Sequence, residues 1–434
     1  MTCNGLAAAV PSTAVAANTL SDAVRWRIFL YLGALIIMTD FGGPSGGLFS
    51  VPISFLLKNK LHLQAHEASE FKLISSIPLY LSFLFGLARD TWNPFGMRDR
   101  GFFVLFGAIS ACLYIFFAFT PITYPALLVA VVLSATSYSF ISAARNGLAS
   151  TIGQQHVMSG QISAVWNIFG SFVLVIALLI GGPLSDLLEN KNADQAARIL
   201  FLVGAAFVAS VALYGAWKPK SVFDNVRTEH VGGIDRFGDL KRLVRHWPLY
   251  PAILVWFLWS FAPGSDTPLQ YYLQNTFRAK DSQWGQWNAI FAASFIPTFI
   301  GFGFLCRKFA LRSLLLWGTV VAVPQMVPLL FINSMDEAFI TAVTIGLMGG
   351  VANAAYLDLI IRSCPRGLQG TTVMIAISLS TIGARFGDRL GTSLYDIFGG
   401  FGVCVVATTA VYALILPTLL LVPKNLISTA DGKC

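Results

Sequence analysis

The chain has 434 residues, 56 % of them hydrophobic and only 12 % charged, with a mean hydropathy of +0.69. Soluble domains carry roughly a quarter charged residues, so the composition excludes a soluble globular protein and indicates an integral membrane one. The formal net charge of +8 does not mark a nucleic-acid binder, because the basic residues gather at alternate ends of the apolar runs, as the positive-inside rule requires.

Twelve apolar runs, most of them near the roughly 20 residues that cross a bilayer, lie at about 27–56, 72–89, 101–119, 123–149, 160–183, 197–217, 248–275, 286–306, 311–333, 337–361, 371–395 and 400–422. All are expected to be helical, since an isolated strand cannot satisfy its backbone in lipid. Residues 1–24 lack the basic start of a signal peptide and read as a cytoplasmic tail. Six spans form a bundle over 25–217, residues 218–247 make a basic cytoplasmic linker with an amphipathic helix around Phe237 to His246, six more spans fill 248–422, and 423–434 form a second tail. The charge pattern places both termini in the cytoplasm.

The first span contains MTDFGGPSGGLFS, where glycines and a proline interrupt a hydrophobic run beside Asp40. Thirteen residues beyond Arg27, Asp40 lies about 20 Å along the helix, near mid-membrane. Such a carboxylate faces a cavity, pairs or relays protons, or else it caps the backbone loosened by Gly42, Gly43 and Pro44. In the fourth span, Arg145 offers a fork of donors suited to an anionic substrate; its other reading is a topology-setting residue. The seventh span repeats the interruption in WSFAPGSDTPLQ, beside Asp266, which either couples protons or sits in solvent at the outer mouth.

Asp358 lies in the tenth span and is read as a proton carrier, a partner of Arg145 across the halves, or a local partner of Arg362 four residues on. Arg385, Asp388 and Arg389 share one face near the outer end of the eleventh span and make an outer gate or anion funnel, or else neutralise one another within the helix. Trp166, Trp256, Trp259, Tyr271, Tyr272 and Tyr356 are candidates to stack on substrate, or else face lipid or the interface. Histidines fall in loops or at span ends, so proton coupling is assigned to aspartates. The six cysteines form no CxxC pair, and no phosphate loop, HExxH or GxSxG occurs. Neither a cofactor, a metal nor an enzymatic activity is expected.

The two halves echo each other. GLARDTWNPFGMRDR at 86–100 and GFLCRKFALRS at 303–313 both place a glycine before a basic turn, and the first and seventh spans share their breaks. Duplicated halves with matched broken helices are the pattern of secondary transporters, with the site at the midplane between them.

Gly86, Asp90, Gly96, Arg98 and Arg100 match the loop motif of the major facilitator superfamily, which the chain resembles along its whole length. With its extra residues around Pro94, this loop is similar to that of the folate–biopterin transporter branch and the muropeptide permeases. Cys364, Pro365, Gly367, Gly370 and Thr371 match the same branch, whereas the fourth span has hydroxyls and Arg145 where that branch tends to carry an acidic residue. The resemblance implies an all-α fold of two pseudo-symmetric six-helix bundles.

The resulting expectation is a monomeric, multi-pass secondary transporter of the inner membrane. It would move a small organic anion by alternating access in symport with protons, and would bind no nucleic acid. The alternative is a proton-driven multidrug or metabolite exporter of the same fold. Arg145, Trp259, Tyr271 and Tyr356 are assigned to substrate, and Asp40, Asp266 and Asp358 to protons. Gly86, Asp90, Arg98, Arg100, Arg385 and Asp388 are assigned to gating, with Asp90 meeting the start of a neighbouring helix or a basic side chain, and Arg98 and Arg100 meeting acidic or carbonyl partners. The central cavity is expected to be bounded chiefly by the first, fourth, seventh and tenth spans.

Overall fold

The computed structural model describes residues 20–44, 65–189, 193–223, 236–398 and 400–433, with isolated positions between 49 and 63. Most of the predicted first span beyond Pro44, most of the N-terminal tail and the middle of the linker therefore lie outside the described residues. The described residues form helices and turns without a strand. Six spans precede the linker: Asp22–Phe41; the three-piece Ala65–Ser75, Ile77–Tyr80 and Ser82–Thr91; Asp99–Ala118; Tyr124–Gln155; Ser159–Glu189; and Ala193–Ala216. A helix of the linker covers Arg236–Arg245. Six spans follow it: Leu249–Ser260 with Thr267–Phe277; Asp281–Lys308; Leu311–Ala322 with the 3₁₀ turn Val327–Phe331; Met335–Ser363; Gln369–Phe398; and Phe401–Ala413 with Ile415–Leu419.

Local chemistry sets these boundaries. Ser21 accepts from Val24 N at the start of the first span, and Thr123 and Ser334 cap the fourth and tenth in the same way, satisfying amide groups that a helix start leaves free. The first span stops where Gly42 N and Gly43 N turn back onto Met38 O and Asp40 O. The seventh stops at Ser260 and restarts at Thr267. Among the described residues, eight helices are long and apolar enough to cross a membrane by length and composition alone. The first, second, seventh and eleventh spans fall outside that group because they are charged at one end, broken, or rich in hydroxyls and glycine. Those four carry most of the residues assigned to function.

Each half has an apolar core of its own, and two further cores reach across, one taking Ala164 into the second half and one taking Leu357 and Ile361 into the first. In the first half the third span packs against the fourth and sixth; in the second, the tenth packs against the eighth and ninth. The halves meet along two seams, the second and fourth spans against the eleventh, and the fifth against the eighth and tenth. Hydrogen bonds across these seams lie either at mid-height or at the face from which both termini emerge, here the terminal face. They include Ser82 Oγ to Met374 O at 2.8 Å, Ser163 Oγ to Ala354 O at 2.7 Å, and Gln154 Nε2 to Ile361 O and Cys364 O at 2.8 and 2.7 Å. Among the described residues none joins the halves nearer the opposite face.

Candidate functional site

Arg145 is 5 % exposed, in the C-terminal half of the 32-residue fourth helix. Burying its guanidinium requires partners, because an unpaired charge in lipid is costly. The first span supplies them: Nη1 donates to Thr39 Oγ1 at 2.6 Å and, in a very short bond, to Asp40 Oδ1. Nε donates to Asn146 Oδ1 at 3.0 Å, and the Tyr138 hydroxyl donates to Asp40 Oδ1 at 3.0 Å. The break after Phe41 therefore ends the first helix just past the carboxylate that holds Arg145. Asp40 is no simple cap, since its side chain is committed to the fourth span.

This network forms one wall of a cavity of about 310 Å³ between the halves. Tyr138, Ser139, Ser142 and Arg145 line it from the fourth span, Trp166 and Asn167 from the fifth, and Trp256 from the seventh. The tenth contributes Asn353, Leu357 and Ile360; the eleventh contributes Val373, Met374, Ala376 and Ile377. The expectation of walls from the first, fourth, seventh and tenth spans needs correction. The first acts only through Asp40 and Thr39 behind Arg145, and the fifth and eleventh are full walls. The guanidinium carbon of Arg145 stands 5.8 Å from the Trp166 ring centre, within range of a cation–π contact.

From the fifth span, next to Trp166, a polar chain crosses the cavity wall between the halves. Trp259 Nε1 donates to Asn353 Oδ1 at 2.9 Å, Asn353 Nδ2 to Asn167 Oδ1 at 2.9 Å, and Asn167 Nδ2 to Ser163 O at 2.9 Å. The sequence reading missed Tyr138, Asn167 and Asn353, while Trp166 and Trp256, two of its stacking candidates, do line the cavity. The amides at 167 and 353 carry a usable signal, being uncharged polar residues well inside apolar runs. Trp256 Nε1 is buried without a partner among the described residues.

The other assigned substrate and proton residues lie elsewhere. Tyr356 is fully buried inside the second half, its hydroxyl bonded to Thr319 at 2.7 Å. Tyr271 is half exposed on the outer piece of the seventh span. Trp259 stacks on Tyr412 behind Asn353 and reaches the cavity only through it. Asp358 does not meet Arg145; it pairs with Arg362 at 2.9 Å, on the same helix. Asp266 is exposed at the restart of the seventh span, and the group that holds this restart is Asp388, which accepts from Thr267 N and Oγ1, both at 2.9 Å. Gly264 N, freed by the same break, donates to Thr408 Oγ1 at 2.8 Å. Arg385 is exposed.

The motif loop sits on the terminal face. Asp90 accepts from Thr371 N at 2.6 Å, Thr371 Oγ1 at 2.7 Å and Gly370 N at 3.2 Å, so a residue of the first half caps the eleventh span of the second. Arg89, absent from the sequence assignments, holds Asp90 at 2.8 Å and Asp99 through two bonds of 2.5 and 2.8 Å. A Cβ on Gly86 would stand 2.6 Å from Gly370 O, so glycine permits this close approach. Arg100 donates to Gly215 O and Ala216 O at 3.0 and 2.6 Å, the carbonyl end of the sixth span. Arg98 departs from expectation: its Nη1 is buried without a partner among the described residues, and it is the backbone N–H that is held, by Asn93 Oδ1 at 2.6 Å.

Residues 15–388 match the family model described as Major Facilitator Superfamily. No curated protein matches the sequence significantly. Among solved structures, one described as a major facilitator superfamily transporter, FucP, in the outward conformation superposes with a TM-score of 0.67 at 16 % identity, covering 91 % of this chain and 98 % of that one. The human organic anion transporter MFSD10 gives 0.61 at 14 % identity, covering 92 % and 100 %. A bacterial homologue of the iron transporter ferroportin, outward-facing, gives 0.62 at 16 % identity, covering 92 % and 98 %. At these identities the likeness is one of fold.

Proposed function

Because the chain belongs to the major facilitator superfamily, we propose that it is a secondary active transporter that carries a small organic anion through the central cavity in symport with protons. The observation that carries this reading is the buried Asp40–Arg145 pair at the cavity wall. Empty, the pair is neutral. An anion entering alone would add an uncompensated charge in a medium where such charges cost several kcal/mol. If a proton first neutralises Asp40, Arg145 is released to grip the anion's carboxylate or phosphate with its remaining donors. The loaded cavity again holds one cation and one anion, so the proton and substrate move together. Trp166 and Trp256 offer flat faces to the apolar part of the substrate.

The coupling ion enters as a proton, carried by Asp40 rather than by Asp266. Alternating access follows from the seams: Asp90, Gly86 and the Arg89–Asp99 bridge act as a latch of the terminal face, and Asp388 holds the broken seventh span in register. With the termini in the cytoplasm of an inner membrane, as the basic residues indicate, the clasped terminal face and the absence of bonds beyond mid-height among the described residues support an outward-open state. Two of the solved structures similar in fold are outward as well. The motifs at 86–100 and 364–371 support placing the chain near the folate–biopterin branch, and the chain acts as a monomer.

The test uses purified protein in liposomes with radiolabelled organic anions. Under an imposed pH gradient the native protein accumulates its substrate. Asp40→Asn keeps exchange of labelled for unlabelled substrate yet loses proton-driven accumulation. Accumulation by Asp40→Asn equal to the native level refutes the coupling role.

A further inference from the structure

The segment after the twelfth span is pinned between the two halves. Arg362 donates through Nη1 to Thr429 O at 2.9 Å and Leu426 O at 3.3 Å. Asp431 N donates to Cys306 O at 2.9 Å, at the end of the eighth span, and Gly432 N to Val157 O at 2.8 Å, in the turn between the fourth and fifth. One short stretch thus touches the second half at Cys306 and Arg362 and the first at Val157.

At its centre Asp431 is only 4 % exposed. Its Oδ1 accepts from Arg362 Nη2 at 2.8 Å and its Oδ2 from Gln161 N at 3.0 Å. The same guanidinium donates Nε to Asp358 Oδ1 at 2.9 Å and to Ser159 Oγ at 3.0 Å. Asp358 is fully buried, and its Oδ2 has no partner among the described residues. A Cβ on Gly160 would lie 3.0 Å from that orphaned oxygen and 3.1 Å from Asp431 Oδ2, so the absence of a side chain at 160 lets the two carboxylates converge.

The titratable and charged groups facing Asp431 are Asp358 and Arg362 from the tenth span and Cys306 from the eighth. The fifth span presents only the backbone of Gly160 and Gln161 and the hydroxyl of Ser159. Two carboxylates therefore share one cation out of water. With both ionised, one negative charge is left over; a single shared proton removes it.

We infer that Asp358 and Asp431 form a proton-binding site that straps the segment after the twelfth span across the two halves and holds the terminal face shut while the proton is bound. Loss of the proton leaves two like charges around Arg362, and the only one free to leave is on the segment. Burial, reinforced by the Asp358 charge and opposed by Arg362, pushes the Asp431 carboxyl up to about 7. A docked-state value above the ordinary one means docking is full below about pH 4 and is lost as the pH rises through about 7. This site is separate from the Asp40–Arg145 pair and asks nothing about the substrate.

The experiment is a nitroxide at Lys433→Cys in the full chain, with Cys3, Cys112 and Cys434 replaced by serine, read by room-temperature EPR between about pH 5 and pH 9. The native segment is expected to be immobilised at low pH and mobile at high pH, the ratio changing up to about tenfold per pH unit around a midpoint near 7. Asp431→Asn and Asp358→Asn each leave one carboxylate for Arg362, so both should stay immobilised throughout. A native spectrum that does not change with pH, or either variant titrating as the native does, overturns the inference. No transport is measured, so failure here leaves the cavity reading untouched.

Discussion

Replacing Asp90 with alanine should tip the conformational equilibrium of the whole molecule. Its carboxylate is the acceptor for Gly370 N, Thr371 N and Thr371 Oγ1, all on the opposite half, and its side chain is fully buried. These bonds exist only while the terminal face is closed; once it opens, water satisfies both sides. A charge-assisted bond is worth about 1.5–3 kcal/mol net and a lost helix cap about 1. The terms overlap, because two of the three bonds are the cap. Arg89 keeps Asp99 as a partner, so no cation is stranded. A net loss of about 2 kcal/mol from the closed state is reasonable, which moves the closed-to-open ratio about thirtyfold. Spin labels at the exposed Trp92 and Arg312, one on each half of the terminal face, report this ratio as two distance populations. Asp90→Ala should enlarge the long-distance population by that factor, and Thr371→Val, which removes only the hydroxyl bond, by about tenfold, the low end for a bond to a carboxylate. Unchanged populations in Asp90→Ala would refute the argument that this carboxylate latches the halves.

Arg145→Lys should weaken anion binding tenfold or more, about 1.4 kcal/mol, because an ammonium cannot hold Thr39, Asp40 and substrate through one planar fork; equilibrium binding to purified protein measures it. Gly86→Leu should force the second and eleventh spans apart and raise the open fraction in the same spin-label assay, since even a Cβ there would sit 2.6 Å from Gly370 O. Arg362→Met leaves two carboxylates buried around no cation and should lower stability by about 3–5 kcal/mol at neutral pH, less in acid, as read by thermal unfolding. Asn353→Ala breaks the chain from Trp259 to Asn167 and should reduce substrate affinity while leaving the Asp40-dependent pH response of transport intact.

The sequence by itself determined the membrane class, the twelve spans, the placement of the breaks and the motif that joins this chain to its superfamily. Those features are local: a hydrophobic run, a Gly/Pro interruption or a loop motif is set by nearest neighbours and bilayer thickness. It also marked Asp40, Arg145 and Asp90, because a charge inside an apolar run is conspicuous wherever it ends up. It could not pair them. Asp40 and Arg145 are 105 positions apart and Asp90 and Thr371 are 281, and only packing of the spans decides that the first closes on the fourth and the second on the eleventh. The same packing turned Tyr356 inward to Thr319, whereas the Asp358–Arg362 pair, four residues apart on one helix, was among the readings the sequence offered. Packing also brought Asp431 from beyond the last span into that buried pair. Asp431 looks like an ordinary tail residue in one dimension, and only burial beside a second carboxylate gives it a proton to hold.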